Sequence, residues 1–379
     1  MKIAMMGQKS VPSRAGGVEV VVTELARRMT MLGHTVVCYN RMGHYAGQIA
    51  EEQVPSGMQL RRVLTIPVKG LAAVSASLFA SVRAAWSDCD VVHVHTEGQA
   101  AFCFLPKMRG KRVIVTIHGL NWQCDTWKKG FGAGWMKLGE RMAVRYADEI
   151  VVLQKELEAY FLRQYGRKAT LLPNGRTEKK TVAAKEILSM GLQVGEYFLF
   201  SGRVVPEKGL EELIRAFCQT KTNKKLVIAG DCTAAPKHVQ RLRALAAADS
   251  RVMLTGFVPA TVLQELYQHA YAFVMASHTE GMPLALLEAM CYGCCCLTSD
   301  IAGCTSVLQG AGETFRMGDA CDLQEKLTLL DTHPERVAAY RQQALMQIAQ
   351  HPSWDWVTEQ TLRLYAGEKI NEDVTTAKY

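Results

Sequence analysis

Glu280 and Glu288, with seven residues between them in His278-Thr-Glu-Gly-Met-Pro-Leu-Ala-Leu-Leu-Glu-Ala-Met290, bracket the start of a predicted helix with two carboxylates. Pro283 suits the first helical position, where its missing N–H would have no intrahelical partner anyway. Glu280 then falls in the preceding loop and Glu288 about two turns inside the helix. Between them, the free N–H groups of the first turn attract anions. A sugar hydroxyl donates well to a carboxylate, a ribose offers a second pair of hydroxyls, and a diphosphate joining two sugars would face the helix N-terminus. The segment suits a nucleotide-sugar, although two ordinary glutamates on a solvated helix would read the same if it stood alone.

Two other segments add chemistry. The run Tyr197-Phe-Leu-Phe-Ser-Gly-Arg-Val-Val-Pro-Glu-Lys-Gly209 is an apolar strand followed by a loop with Arg203 and Lys208, leading into an amphipathic stretch from Leu210 to Phe217. Arg offers a planar fork to phosphate oxygens and Lys a point charge, while Gly202 and Gly209 let backbone approach a ligand. Near the start, a β-like run from Lys2 to Gly7 precedes Gln8-Lys-Ser-Val-Pro-Ser-Arg-Ala-Gly-Gly-Val-Glu19 and a helix reaching about Leu32. Gly16-Gly17 at that helix start reads as a second anion cradle, or as a loop that simply needs small residues.

The elements that must position these residues alternate strand and helix. Strands are expected near 2–7, 35–40, 61–66, 91–95, 113–118, 148–153 and 169–172, a parallel doubly wound pattern. The pattern restarts at Tyr197, with strands near 197–202, 225–230, 251–255, 271–275 and 295–298. The polar stretch Arg176 to Lys185 joins the two halves. The expectation is an α/β protein of two Rossmann-like domains facing a cleft: 1–175, 176–352, and a closing helix and tail at 353–379. Ligands of open α/β sheets sit beyond the strand C-termini, where every segment named above falls.

A chain of 379 residues, 49% hydrophobic, is long enough for two domains with separate cores. The apolar stretch Leu71 to Trp86 is interrupted by Arg83 and too short to span a bilayer, and the first seven residues are too short for a signal core, so the expected location is the cytoplasm. Residues 1–175 hold 23 Lys and Arg against 13 Asp and Glu, while the remainder holds 21 against 23. The excess in the first half, with Lys107, Arg109, Lys111, Arg112, Lys128, Lys129, Lys137, Arg141 and Arg145 close in sequence, suits an anionic partner such as the inner face of a membrane, or a solvated basic face. No nucleic-acid module accompanies it. Twelve cysteines include Cys291-Tyr-Gly-Cys-Cys-Cys296; without a second pair at ligand spacing, buried reduced thiols account for them better than zinc.

Taken together, the Gly-Gly loop, Val91-Val-His-Val-His95, Thr116-Ile-His-Gly119, Pro173-Asn-Gly175, the Gly-Arg and Lys-Gly loop, and the Glu-x7-Glu segment through Gly293 to Ser299-Asp300 resemble glycosyltransferase family 4 over nearly the whole chain. That family comprises retaining nucleotide-sugar transferases of the GT-B fold. Gly119-Leu-Asn-Trp-Gln123, Lys137-Leu-Gly-Glu140 and Ala147-Asp148 look like a bacterial rhamnosyltransferase-like subgroup active in surface-polysaccharide synthesis. Cys295, Cys296 and Arg176 depart from the family pattern.

The resemblance implies a nucleoside-diphosphate sugar as donor, a glycan or lipid-linked hydroxyl acceptor, and no cofactor or metal. Glu280 would hold donor-sugar hydroxyls, Glu288 the ribose, and His118 the donor sugar near the acceptor. Arg203 and Lys208 would stabilise the departing diphosphate, with Gly16, Gly17, Gly281, Met282, Pro283 and Leu284 completing the donor site. The resemblance further implies retention by front-face displacement, with the leaving phosphate accepting the acceptor proton. An NAD-dependent oxidoreductase is a rival, but the first strand lacks G-x-G-x-x-G and the second ends in Tyr39-Asn40-Arg41 without a ribose-binding acid. A catalytically silent nucleotide-sugar-binding subunit and an epimerase are the others. Acceptor contacts are expected in the loops 41–58 and 119–135.

Overall fold

The computed structural model describes residues 1–43, 54–68, 70–120, 122, 131–233 and 235–371. Lys128, Lys129 and most of the two loops expected to meet an acceptor lie outside them. The chain forms two compact units, one of Met1–Gly175 with Ser353–Tyr379, the other of Arg176–Pro352.

The first unit is built on seven strands: β1 Lys2–Met6, β2 Thr35–Arg41, β3 Met58–Val63, β4 Val91–His95, β5 Arg112–Ile117, β6 Glu149–Val152 and β7 Thr170–Leu171. They pair in the order β3-β2-β1-β4-β5-β6-β7, all parallel. Every residue of β4 is buried, as a strand covered by helices on both faces requires. The edge strand β3 lies three residues earlier than the alternation predicts. Met58 and Val63 carry its burial, whereas Leu64 and Ile66 remain exposed.

Strand order reverses between β1 and β4, which makes their C-terminal ends a ligand-binding position. The backbone there is tight. Gly7 has φ +118°, and a Cβ on it would lie 2.1 Å from the His95 carbonyl oxygen. After it, the loop is held by Asn40, which accepts from the Val11 N–H at 3.1 Å and donates to the Val11 carbonyl at 2.8 Å. The residue that stands where a dinucleotide fold would place a ribose-binding acid is thus a loop clamp.

The Trp354–Ala366 helix returns to this unit. Ser353 caps it by accepting the Trp356 N–H, and Trp354, Trp356, Val357, Leu364 and Tyr365 are buried. Each such large side chain contributes about 1.5–3 kcal/mol by leaving water. Arg28 pairs with Asp355 at 2.6 Å, and Arg112 donates to the Leu364 carbonyl at 2.7 Å. The glycine of Pro173-Asn-Gly175 is explained by the same helix, because a Cβ there would lie 2.6 Å from the Trp354 backbone.

The second unit holds β8 Tyr197–Ser201, β9 Lys225–Ala229, β10 Val252–Gly256, β11 Ala272–Met275, β12 Cys295–Ser299 and β13 Glu313–Phe315, in the order β10-β9-β8-β11-β12-β13. The strand β13, three residues long, has no counterpart in the sequence reading. Its reversal point lies between β8 and β11. Arg176, a departure from the family pattern, closes the unit: its N–H donates to the Pro352 carbonyl and its Nε to that of His351. Cys294, Cys295 and Cys296 are core residues, and burial pushes the first two thiols up to about 12. Counted by unit, the first has 26 Lys and Arg against 18 Asp and Glu and the second 18 against 18, so the first carries the whole +8.

Candidate active site

In the second unit, the loops after β8 and β11 meet at the reversal point. Lys208 ends a short 3-10 turn, Pro206–Lys208, and Gly209 follows with φ +62°. A Cβ on Gly209 would lie 2.0 Å from the Ala276 carbonyl oxygen, so only glycine allows one loop to press on the other. A backbone bond from the His278 N–H to the Glu207 carbonyl at 2.9 Å fixes the same approach.

This brings Lys208 Nζ onto Glu280 Oε1 as an ion pair, with both side chains largely buried. Ser277 Oγ donates to the same oxygen at 2.7 Å. Lys has three donors, so the pair orients the ammonium and still leaves it able to meet an anion. The Glu280-Gly281 backbone packs on the Ala302–Leu308 helix, where a Cβ on Gly303 would lie 2.4 Å from the Glu280 carbonyl oxygen. Ser277 and Gly303 were not singled out in the sequence.

The helix after Glu280 runs Leu284–Cys291, with Pro283 as its N-cap rather than its first residue. Glu288 is consequently the fifth helical residue, a little over one turn in, and nearly buried. The first N–H groups of such a helix lack intrahelical partners and point toward Gly281 and Met282. Arg203, by contrast, is exposed on its loop. Lys208, Glu280, Gly281, Met282, Pro283 and Leu284 are therefore neighbours, with Glu288 one turn behind them.

Gly16, Gly17 and His118 belong to the first unit. Gly16 caps the Gly17–Met31 helix in extended conformation, and Glu19 lies against it: a Cβ on Gly16 would meet Glu19 Oε2 at 2.3 Å. Glu19 Oε1 accepts the Lys9 N–H at 2.9 Å. The cradle expected for an external anion is thus bordered by the chain's own carboxylate, as the helix dipole favours.

His118 is the first residue after β5, not its last. His95 Nδ1 and His118 Nε2 are hydrogen-bonded at 3.2 Å, and the His93 and His95 ring centroids are 4.1 Å apart. His93 in turn bonds Tyr365 through Nδ1 at 2.6 Å and Thr116 through Nε2 at 2.7 Å. Burial drives His118 down to about 4 and His93 to about 3, and holds His95 well below the ordinary imidazole range. All three are neutral near pH 7. His95 Nε2 is buried without a hydrogen-bond partner. A proton on Nδ1, donated to His118 Nε2, leaves only a lone pair unmatched there and puts the proton of His118 on Nδ1. The signal for this cluster was in the sequence: His93 and His95, two apart in β4, share a face, and His95 lies opposite Thr116 of β5, two residues before His118.

Known proteins decide what this scaffold is. Residues 15–178 match the model described as Glycosyltransferase Family 4, and residues 193–345 the model described as Glycosyl transferases group 1. The chain is a GT-B glycosyltransferase of family 4. Similar proteins include D-inositol 3-phosphate glycosyltransferase 2 of Catenulispora acidiphila, 27% identical with 96% of this chain and 92% of that one covered. Alpha-maltose-1-phosphate synthase of Mycolicibacterium smegmatis is 24% identical over 96% and 99%. Among solved structures, sucrose-phosphate synthase from Thermosynechococcus elongatus superposes with a TM-score of 0.80 at 19% identity, covering 97% of this chain and 98% of that one. Anabaena HepE in complex with UDP-glucose also gives 0.80, at 16% identity over 97% and 100%.

The glycosyltransferase contains one Asp-x-Asp, Asp88-Cys-Asp90, a spacing that other sugar transferases use for a metal. Here it precedes β4, at the opposite end of the sheet from the strand C-termini. Asp88 pairs with Lys2 Nζ at 2.7 Å and Asp90 accepts the Lys2 N–H at 2.8 Å. It ties down the first strand of the transferase.

Proposed function

We propose that this glycosyltransferase moves a sugar from a nucleoside-diphosphate sugar to a hydroxyl of a glycan or lipid-linked acceptor, with retention of configuration, in bacterial cell-surface polysaccharide or glycolipid synthesis. The observation that carries the donor assignment is the Lys208–Glu280 pair at the reversal point of the second sheet, beside the N-terminus of the Leu284–Cys291 helix. As the glycosidic bond breaks, the diphosphate gains negative charge. A cation already oriented by a carboxylate, together with a helix N-terminus, stabilises that charge without reorganising. Glu280 receives donor-sugar hydroxyls, Glu288 the ribose, and Arg203 swings from its exposed position onto the phosphates. That HepE was crystallised with UDP and UDP-glucose supports a donor of this chemical class.

His118, neutral and carrying its proton on Nδ1, acts by hydrogen-bonding the donor sugar rather than as a general acid. Gly16 and Gly17 bring backbone N–H groups to the diphosphate. The charge of the first unit supports peripheral binding to an anionic membrane. A thermal-shift panel of nucleotide sugars identifies the donor, because a ligand that binds the folded state raises its stability. NMR of the product's anomeric centre then tests retention. No shift with any nucleoside-diphosphate sugar, or a product of inverted configuration, overturns the corresponding half of the proposal.

A further inference from the structure

The Leu71–Ala85 helix carries a single charged residue, Arg83, and Trp86 follows it directly. Leu71, Val82 and Trp86 are exposed, with Val74 and Leu78 partly exposed between them. Spaced three and four apart, these positions form one apolar ridge on a helix about 22 Å long. Trp86 is 62% exposed, and Met108 nearby is 75% exposed. Soluble surfaces rarely leave so much large apolar side chain in water without a partner.

Two contacts widen the ridge. Ser75 accepts the Ile66 N–H at 3.0 Å, which lays the segment carrying exposed Leu64, Ile66 and Val68 against the helix. Arg83 donates to the Arg62 carbonyl at 2.8 Å, placing the edge strand β3 and its exposed Arg61 and Arg62 alongside. At the other end, the Arg109 guanidinium covers the Trp86 ring at 4.8 Å. A recess of about 420 Å³ opens there, lined by Ala85, Trp86, Ser87, Met108, Arg109 and Lys111.

Among the described residues, the rim carries Arg61, Arg62, Arg83, Arg109 and Lys111, while the acidic neighbours Asp88 and Asp90 are both held by Lys2, one by its Nζ and the other by its N–H. The basic run of the sequence does not form a single face, since Lys107 pairs with Asp148 and Arg112 is bound to the returning helix. Arg109 and Lys111 line the recess at the end of the ridge; Lys111 Nζ donates to the Ser87 carbonyl at 2.8 Å and keeps two further donors. An apolar stripe with Trp at its margin and Arg and Lys at its rim matches the boundary between acyl chains and acidic headgroups.

We infer that this face, the Leu71–Ala85 helix with Leu64, Ile66, Val68, Trp86 and Met108, docks the first unit on an anionic lipid bilayer, and that a lipid phosphate occupies the recess at Arg109 and Lys111. The inference rests on the peripheral-membrane reading above and assigns its surface. Lipid contact covers the ridge, and the rim arginines hold it at the headgroup level.

Co-sedimentation with vesicles of phosphatidylcholine alone, or with one-third phosphatidylglycerol, tests it on the full chain. Wild type is expected to bind the acidic vesicles at low salt and to lose most binding at 1 M NaCl. Trp86→Ser with Met108→Ser, and separately Arg61→Gln with Arg109→Gln, should each reduce binding at least tenfold while leaving the melting temperature unchanged. Lys155→Gln with Arg163→Gln, on a helix away from the ridge, should bind like wild type. Failure of wild type to bind acidic vesicles overturns the membrane reading itself. Wild-type binding that the ridge variants retain, or that neutral vesicles match, overturns only this surface and points to a protein partner for it.

Discussion

Tyr365 and His93 meet at 2.6 Å although 272 residues separate them, so the returning helix ends in a hydrogen bond to the middle of the first sheet. The imidazole on which it closes is buried and neutral, as are its neighbours His95 and His118.

That neutrality makes stability depend on pH. An unfolded imidazole titrates near 6.5, whereas these titrate lower when folded. Below 6.5 the unfolded chain binds protons that the folded chain refuses. Stability is complete above about 6.5 and falls as the pH drops toward 4 and 3, by up to about 1.4 kcal/mol per pH unit for each histidine. Denaturant titrations between pH 7 and 5, above the usual carboxylate range, should show the decline, and His93→Gln should make it shallower. A flat profile over that window would contradict the assigned neutrality.

Glu280→Gln should lower turnover by roughly ten- to a hundredfold with little change in melting temperature, because the carboxylate organises Lys208 by a charge-assisted contact of about 1.5–3 kcal/mol. Glu288→Gln should also impair transfer while the fold persists. Wild-type turnover in both folded variants would remove them from the site.

Lys208→Ala and Arg203→Ala should weaken a nucleoside diphosphate more than the matching nucleoside, since the lost contacts are to phosphate. Exposed Arg203 can be replaced at a stability cost within about 0.5 kcal/mol. Calorimetric titration of both ligands separates the cases, and equal losses for the two would assign these residues another task.

Glu140 is fully buried and accepts from Trp122 Nε1 at 2.5 Å, Tyr160 at 3.0 Å and Tyr165 at 2.8 Å. Glu140→Ala leaves three donors without that acceptor, so the first unit should lose about 3 kcal/mol or more. Glu140→Gln keeps an acceptor and should cost less. Equal melting temperatures for wild type and the alanine variant would be inconsistent with this network.

Transfer should persist in EDTA. The proposed charge stabilisation comes from Lys208, Arg203 and a helix N-terminus, and the chain's Asp-x-Asp is engaged with Lys2. Activity lost in chelator and restored by Mg2+ or Mn2+ would refute it.

Much of this was legible in the sequence, for identifiable reasons. Buried parallel strands are near-continuous apolar runs, so most of them declared themselves. Gly209, expected to let backbone approach a ligand, instead lets its loop press on the Ala276 carbonyl, and the crowding of Gly7 at His95 had no reading in the sequence. What escaped was short or long-range. Three residues of β13 contain no period to read. At β3, the apolar Leu64 and Ile66 face solvent beyond the end of the strand, so the pattern there does not mark its bounds. The Lys208–Glu280 bridge spans 72 positions, and pairing of that kind is set by strand order, which one sequence does not encode locally. The basic run looked like one surface because sequence proximity hides that Lys107 and Arg112 are spent on internal bonds.

The division of the chain has a further consequence. Arg176–Pro352 is one uninterrupted stretch, whereas the first unit is assembled from segments on either side of it. During synthesis on the ribosome the second unit can complete its sheet as soon as it emerges. The first must wait, with His93 and the face that takes Trp354 uncovered, until the returning helix has been made. A message truncated after Pro352 would therefore yield a finished second unit attached to an unfinished first, the kind of product that cellular proteases recognise by its exposed core.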